Sequence, residues 1–342
     1  SGRDLSQFRL WYEQSGTPEL TVRDEFDDSA GIYRLTIKQS IPDTPGQADK
    51  KPQHIPFAIG LLGAEGESLP LKLAADDADA PTDRVLELTD ASHTFEFHGL
   101  SERPVPSLLR GFSAPVRVFY PWTREQLTFL MSHDSDGFNR WDAGQRLAVD
   151  VINSLVSSTD GNVDAGLVEA YRSLLADSSL DQALVAKMLQ LPSEAYLIEL
   201  ADQPNVPAIH RARERVLAHL ARSLRDELLA CYHRNTLSGH YEVTPEAVAR
   251  RSLRNTALAW LLHIDDEEGR TLATSQFNEA DNMTDRMGAL RALVNSGYEK
   301  EQEQALADFY QQWKDDPQVV EQWFAVQSGS TRTGGLRKVH EL

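Results

Sequence analysis

The spacing of apolar residues changes near residue 123 of the chain. Before that point apolar and polar residues alternate, and short polar spacers separate the alternating runs. A period of two places one face of a strand in a core and the other in water. Several short strands at this spacing predict an antiparallel, immunoglobulin-like β-sandwich over residues 15–122. Its clearest apolar positions are Tyr33, Leu35, Ile37, Ile55, Phe57, Ile59, Phe95, Phe97, Val116, Val118 and Tyr120.

After residue 123 the apolar residues recur every three or four positions, which is typical of amphipathic helices. Thr123 and Gln126 form a capping-box pattern at the first helix start. The longest apolar stripe runs from Ile209 to Leu228 and predicts one long helix, and Thr244 followed by proline predicts another helix start. Short helices with short loops predict an all-α, armadillo/HEAT-like solenoid over residues 123–342, although no residue pattern repeats at a fixed period.

The net charge narrows the classes of partner. The 342 residues include 34 Lys and Arg against 52 Asp and Glu, which gives −18. So acidic a chain repels phosphate backbones and anionic lipids, so neither nucleic acid nor a membrane surface is an expected partner. A cationic ligand, such as a peptide amino terminus, matches the negative charge of the chain better.

The sequence shows neither a signal peptide nor a membrane span and has a single cysteine, and these features favour a cytoplasmic protein. No apolar run is long enough to span a bilayer, and the sequence does not open with the layout of a signal peptide. It opens with Ser1 and not Met, so we expect residue 1 not to be the natural start. Cys231 stands alone, cannot form an intrachain disulfide and lies in an apolar helical context. We expect it to be a small buried hydrophobe in a reducing compartment.

The sequence contains no recognisable catalytic or metal-binding motif. None of the ten histidines lies four residues from another, so the zinc-peptidase motif His-Glu-x-x-His is missing. The nucleophile motif Gly-x-Ser-x-Gly is missing too. From the residues alone, we expect no catalytic, cofactor-binding or metal-binding residue in this chain.

Five segments, in the same order along the chain, resemble the bacterial aminopeptidase N family of gluzincin zinc aminopeptidases. The first is similar to the exit from that family's catalytic domain, the next two to strands of its small sandwich, and the last two to its helical domain. They are residues 8–18 (FRLWYEQSGTP), 54–59 (HIPFAI), 106–116 (PSLLRGFSAPV), 127–145 and 277–285 (FNEADNMTD).

The resemblance implies a non-catalytic portion of such an enzyme, one that spaces and caps the catalytic domain and helps to enclose the substrate cavity. Residues 1–14 are then a remnant of a preceding catalytic-domain helix, and the helical domain is incomplete at its carboxyl end. The family's zinc belongs to the catalytic domain, whose His-Glu-x-x-His and Gly-x-Met-Glu-Asn motifs are not present here. The expected partners are that catalytic domain and the peptide substrates of the whole enzyme.

Two sets of residues become candidates through the resemblance. Asn282, Thr284 and Asp285 either cap a helix or face the substrate cavity. The second set, which comprises Phe8, Leu10, Trp11 and Tyr12, is expected to form an apolar surface towards the missing catalytic domain. Phe324 and Val326 are expected to form a similar apolar surface near the carboxyl end. An alternative function for the whole chain is that of a free-standing protein-interaction module without enzymatic activity. It stays open because fold alone does not determine function.

Overall fold

A computed structural model describes residues 2, 4–74, 76, 80–158, 161–237, 239–332 and 334–342. Two residues of the predicted catalytic-domain remnant, Ser1 and Arg3, therefore lie outside the described part. The chain divides into two compact units, Ser1–Leu147 and Ala148–Leu342, and each is described by itself.

The first unit is built around a β-sandwich with a buried apolar core. One sheet has four strands in the order β5-β2-β1-β7, and the other has three in the order β4-β3-β6. Tyr33, Leu35 and Ile37 from one sheet and Phe57 and Ile59 from the other are at most 1% exposed, as the alternation predicts. The strands are β1 Glu19–Asp27, β2 Ile32–Ser40, β3 Ile55–Leu62, β4 Asp83–Leu88, β5 Ser92–His98, β6 Val105–Leu108 and β7 Arg117–Phe119.

One strand pair departs from the predicted antiparallel arrangement. Strand β7 pairs with β1 in parallel, with Glu19 opposite Arg117 and Thr21 opposite Phe119. The alternation of side chains has a period of two in both kinds of pair, so it reports which face is buried and not the direction of the neighbouring strand.

Helices occupy the chain after Thr123, as predicted. The hydroxyl of Thr123 accepts from the amide of Gln126, and the Gln126 side chain accepts from the amide of Thr123, which completes the capping box. The α-helices of the described residues are α1 Leu10–Glu13, α2 Arg124–His133, α3 Gly137–Ser157, α4 Ala165–Ala176, α5 Gln182–Met188, α6 Glu194–Leu200, α7 Val206–Ser223, α8 Arg225–Arg234, α9 Pro245–His263, α10 Glu267–Glu279, α11 Met283–Val294, α12 Glu299–Trp313, α13 Pro317–Ser328 and α14 Gly335–Glu341.

The prediction of a single helix from Ile209 to Leu228 is wrong. Leu224 leaves the helical region, with φ −117° and ψ 18°, and separates α7 from α8. Ile209, Leu224 and Leu228 are all buried nevertheless. The apolar spacing continues through the break because both helices bury the same kind of face, so the pattern cannot show where one helix ends.

A buried ion pair fastens helix α2 to the sandwich within the first unit. Arg110 Nη2 lies 2.9 Å from Asp134 Oδ1, and the two side chains are 6% and 0% exposed. Burial raises the pKa of the Asp134 carboxyl, and the attraction of Arg110 offsets only part of that effect. Asn139 at the start of α3 donates to Ser107 Oγ at 2.8 Å and to the Leu108 carbonyl at 3.0 Å. Polar contacts therefore join the two kinds of structure.

Candidate functional site

The start of α11 holds the three residues that the resemblance singled out in the helical domain. Asn282 is the N-cap, and its Oδ1 accepts from the Asp285 amide at 2.9 Å. Its Nδ2 donates to Asp285 Oδ2 at 3.0 Å. Asp285 is buried, whereas Thr284 is exposed. Helix capping thus describes Asn282, and Asp285 has a different, buried role.

Asp285 is the centre of a polar network among four helices. Asn255 Nδ2 donates to Asp285 Oδ1 at 3.1 Å, and Arg254 Nη1 lies 3.6 Å from Asp285 Oδ2. Gln276 Nε2 donates to Asn255 Oδ1 at 2.7 Å and to the Asp285 carbonyl at 2.8 Å. The Tyr232 hydroxyl donates to Gln276 Oε1 at 3.0 Å. A buried carboxylate with this many donors is held in one orientation.

Arg254 completes the network and links it to an aromatic ring. Its Nη2 donates to the Tyr232 hydroxyl at 2.8 Å, and its guanidinium carbon lies 4.7 Å from the centre of the Tyr232 ring. Burial raises the pKa of Tyr232, so this hydroxyl stays protonated at neutral pH. Gly288 of α11 leaves room for the network, because a Cβ there would lie 2.6 Å from the Asn255 side chain.

This network borders a cavity of about 690 Å³ formed by α8, α9, α10, α11 and the loop before α9. Asn282 and Asp285 line it, whereas Thr284 lines a different cavity of about 750 Å³. The structure therefore does not bring the three candidates to one surface. Acidic side chains outnumber arginines in the first cavity, namely Glu242, Glu246, Glu279, Asp281 and Asp285 against Arg250, Arg251 and Arg254. Such a lining can bind a group that carries donors or positive charge.

Sequence reasoning missed Arg254, Asn255 and Gln276. A weak signal is present in α9, where Arg254 and Asn255 stand between the buried residues Leu253 and Ala257. A polar residue at a buried helical position needs a hydrogen-bond partner. The partners, however, come from helices about 20 to 30 residues away, so the pattern of α9 alone cannot identify them.

The amino-terminal candidates divide into anchored and exposed side chains. Trp11 is half-buried against the sandwich core, and its Nε1 donates to the His54 carbonyl at 2.9 Å. Leu10 is also half-buried. Phe8 and Tyr12 are 42% and 83% exposed, and their rings meet edge to face with centroids 6.2 Å apart. Two of the four predicted residues thus offer an exposed aromatic surface on α1 and the turn before it.

The carboxyl-terminal candidates divide in the same way. Phe324 is 41% exposed and contacts Trp323 edge to face, whereas Val326 is 6% exposed. Val326 therefore belongs to a local core, and Phe324 alone remains a candidate for an exposed apolar surface.

The resemblance implies a zinc for the whole enzyme that the family's catalytic domain binds. Its helix-borne motif His-Glu-x-x-His occurs nowhere in the 342 residues. A catalytic zinc needs three protein ligands and an open position. No step of zinc catalysis can be derived from the residues of this chain.

Comparison with known proteins supports both parts of the fold. A family described as a domain of unknown function (DUF3458) with an Ig-like fold matches residues 16–121. A second, described as a domain of unknown function (DUF3458_C) with ARM repeats, matches residues 124–342. The chain belongs to the DUF3458_C family. The predicted order of an immunoglobulin-like sandwich followed by an armadillo-like helical domain is confirmed.

Relatives of this DUF3458_C chain include bacterial aminopeptidases. Aminopeptidase N of Escherichia coli strain K12 is 40% identical over 346 residues, which cover 100% of the chain and 39% of the relative. Aminopeptidase N of Haemophilus influenzae is 36% identical over 329 residues, which cover 95% of the chain and 37% of the relative. The resemblance to aminopeptidase N is confirmed, and the chain spans less than two fifths of the length of these curated relatives.

A solved aminopeptidase structure also matches the fold of this chain. Aminopeptidase A of Legionella pneumophila, crystallised in complex with aspartic acid, matches with a TM-score of 0.83 at 30% identity. The match covers 100% of this DUF3458_C chain and 39% of the Legionella protein. Among the helices that the structure describes, none is both long and apolar enough to cross a bilayer.

Proposed function

We propose that this chain is the non-catalytic portion of an aminopeptidase N that removes amino-terminal residues from peptides. One observation carries the proposal: relatives named aminopeptidase N match along essentially the whole chain, yet that match covers only 37–39% of their length. The absence of His-Glu-x-x-His from the sequence agrees with chemistry located in another part of the polypeptide. The lone buried Cys231 agrees with a cytoplasmic location.

The sandwich spaces the helical unit from the catalytic portion, and the helical unit caps the substrate cavity. The face around Asp285 supports this role, because its cavity is lined by more carboxylates than arginines. Together with the net charge of −18, this lining attracts a peptide amino terminus, which is cationic at neutral pH. Enclosure also excludes water, which strengthens electrostatic interactions inside the cavity.

Phe8 and Tyr12 form the surface that meets the catalytic portion. Both rings are largely exposed although Trp11, next to Tyr12, is anchored to the sandwich. Exposed aromatic groups of this kind are typical of interaction surfaces, where a ring contributes a large contact area. The rest of α1 then keeps these two rings in a fixed position.

Association with a catalytic portion tests the proposal. The partner is E. coli aminopeptidase N shortened by the 39% that this chain matches. The expected result is a one-to-one complex in analytical ultracentrifugation when the two proteins are mixed. If the shortened enzyme is folded and the two proteins sediment separately, the interaction-module alternative gains and the proposal fails.

A further inference from the structure

Helices α6 and α7 bring three side chains with metal-binding chemistry together. In the described part of the chain, Glu194, His210 and Glu214 are the one group of this kind whose ligand atoms all lie within 4.8 Å of one another. His210 and Glu214 are four residues apart on α7 and therefore share a face of that helix. Glu194 reaches them from the first turn of α6.

The geometry is close to that of a bound ion. His210 Nδ1 lies 2.8 Å from Glu194 Oε1. Around a tetrahedral zinc with bonds of about 2.0–2.1 Å, ligand atoms lie about 3.3 Å apart. The three groups therefore need shifts on the order of 1 Å, which half-exposed side chains can make without moving the backbone. Two carboxylates and a neutral imidazole supply a charge of −2, which matches a divalent cation.

Two further groups face this set. His263 Nε2, at the end of α9, lies 3.5 Å from Glu214 Oε2 and borders the site. Arg213 Nη1 lies 3.4 Å from Glu214 Oε1, and Arg213 Nε donates to the Pro192 carbonyl at 2.8 Å. The positive charge of Arg213 weakens cation binding, so we expect weaker binding than at a closed structural zinc site.

We propose that Glu194, His210 and Glu214 bind one divalent transition-metal ion of the zinc class, which joins α6 to α7. Imidazole and carboxylate ligands together suit zinc and its neighbours better than magnesium or calcium. The sequence predicts no metal ligand in this chain, because it lacks the His-Glu-x-x-His motif. That motif does not cover a histidine followed by a glutamate four residues later, and the partner Glu194 lies 16 residues before His210.

Titration with zinc chloride tests this site on the full chain after treatment with a chelator. Isothermal calorimetry is expected to show one ion per chain. Glu194→Gln, His210→Gln and Glu214→Gln should each weaken binding by about tenfold or more, since each removes one ligand. His219→Gln is the matched control, because nine residues along α7 correspond to about 900° of rotation and place it on the opposite side.

Thermal unfolding supplies a second measurement, because chance binding of zinc at the surface would not raise the Tm. Zinc at a hundredfold excess over its Kd should raise the Tm of the wild-type chain by about 5–10 °C. The shift should fall to about half or less in Glu214→Gln and persist in full in His219→Gln. Circular dichroism without zinc confirms that the variants fold. The proposal is overturned if folded wild-type chain does not bind zinc, or if the three ligand variants bind it as tightly as the wild type.

Discussion

Asn282 and Asp285 hold each other through two hydrogen bonds at the start of α11. The Asn282 side chain accepts from the Asp285 amide at 2.9 Å and donates to the Asp285 carboxylate at 3.0 Å. One residue thus caps the helix and also orients the buried acid at the centre of the network. The cavity wall formed by α11 depends on this pair.

Removal of the cap tests that relationship. Asn282→Ala should lower the free energy of unfolding by about 1–2 kcal/mol, because an N-cap hydrogen bond and one donor to a buried carboxylate are lost together. Thr284→Ala, two residues further and exposed, should change it by less than about 0.5 kcal/mol. Urea denaturation followed by circular dichroism gives both values. Equal losses in the two variants would contradict the role given to Asn282.

Loss of one member of the buried pair Arg110–Asp134 should destabilise the first unit strongly. Arg110→Leu leaves the Asp134 carboxyl buried without its cation, at a cost of about 3–5 kcal/mol. The double variant Arg110→Leu, Asp134→Leu should lose less than Arg110→Leu alone, since no unpaired charge remains. Arg117→Leu is the control, because Arg117 lies 4.0 Å from Glu19 at the surface and should cost less than about 1 kcal/mol. A double variant less stable than Arg110→Leu would refute this account.

Asp134 should also impose a pH dependence on stability. Its pKa in the folded protein is raised above the ordinary 3.8 by burial, so the folded state binds the proton more tightly than the unfolded state does. The stability of the wild type relative to Asp134→Asn should therefore be highest at and below pH 3.8. It should fall as the pH rises through the folded-state pKa. Urea titrations of both proteins at a series of pH values measure this difference, and a difference that grows with pH would contradict the direction of the shift.

The exposed rings near the amino terminus should matter for association and not for folding. Phe8→Ser combined with Tyr12→Ser should change the free energy of unfolding by less than about 1 kcal/mol, because both side chains already face solvent. The same double variant should weaken binding to the shortened E. coli enzyme by about tenfold or more. Tyr196→Ser, which alters a ring that is 47% exposed in the second unit, is the matched control. Unchanged affinity in the Phe8 and Tyr12 variant would exclude these rings from the interface.

Much of the fold could be predicted because it follows from local periodicity. The change of period at Thr123 and its capping box correctly separate sheet from helix, since both signals lie within a few residues. The parallel pairing of β7 and the break at Leu224 could not be predicted, because neither changes the spacing of buried side chains.

The candidate site was harder to predict, since its contacts join distant parts of the chain. The capping role of Asn282 was one of two interpretations open from sequence, and the pattern Asn282-x-x-Asp285 suffices to suggest it. The bonds from Asn255 and Gln276 depend on how α9, α10 and α11 pack, which no local pattern specifies. The pair Glu194 and His210 was missed for the same reason.

We propose that this chain completes an aminopeptidase to which it contributes no catalytic residue. The most direct measurement is the hydrolysis of an aminoacyl amide by E. coli aminopeptidase N in which this chain replaces the matching 39%. We expect kcat/KM within about tenfold of the intact enzyme, at least about a hundredfold above the shortened enzyme, and no hydrolysis by this chain alone. Hydrolysis by the isolated chain, or a folded chimera no more active than the shortened enzyme, would contradict the account.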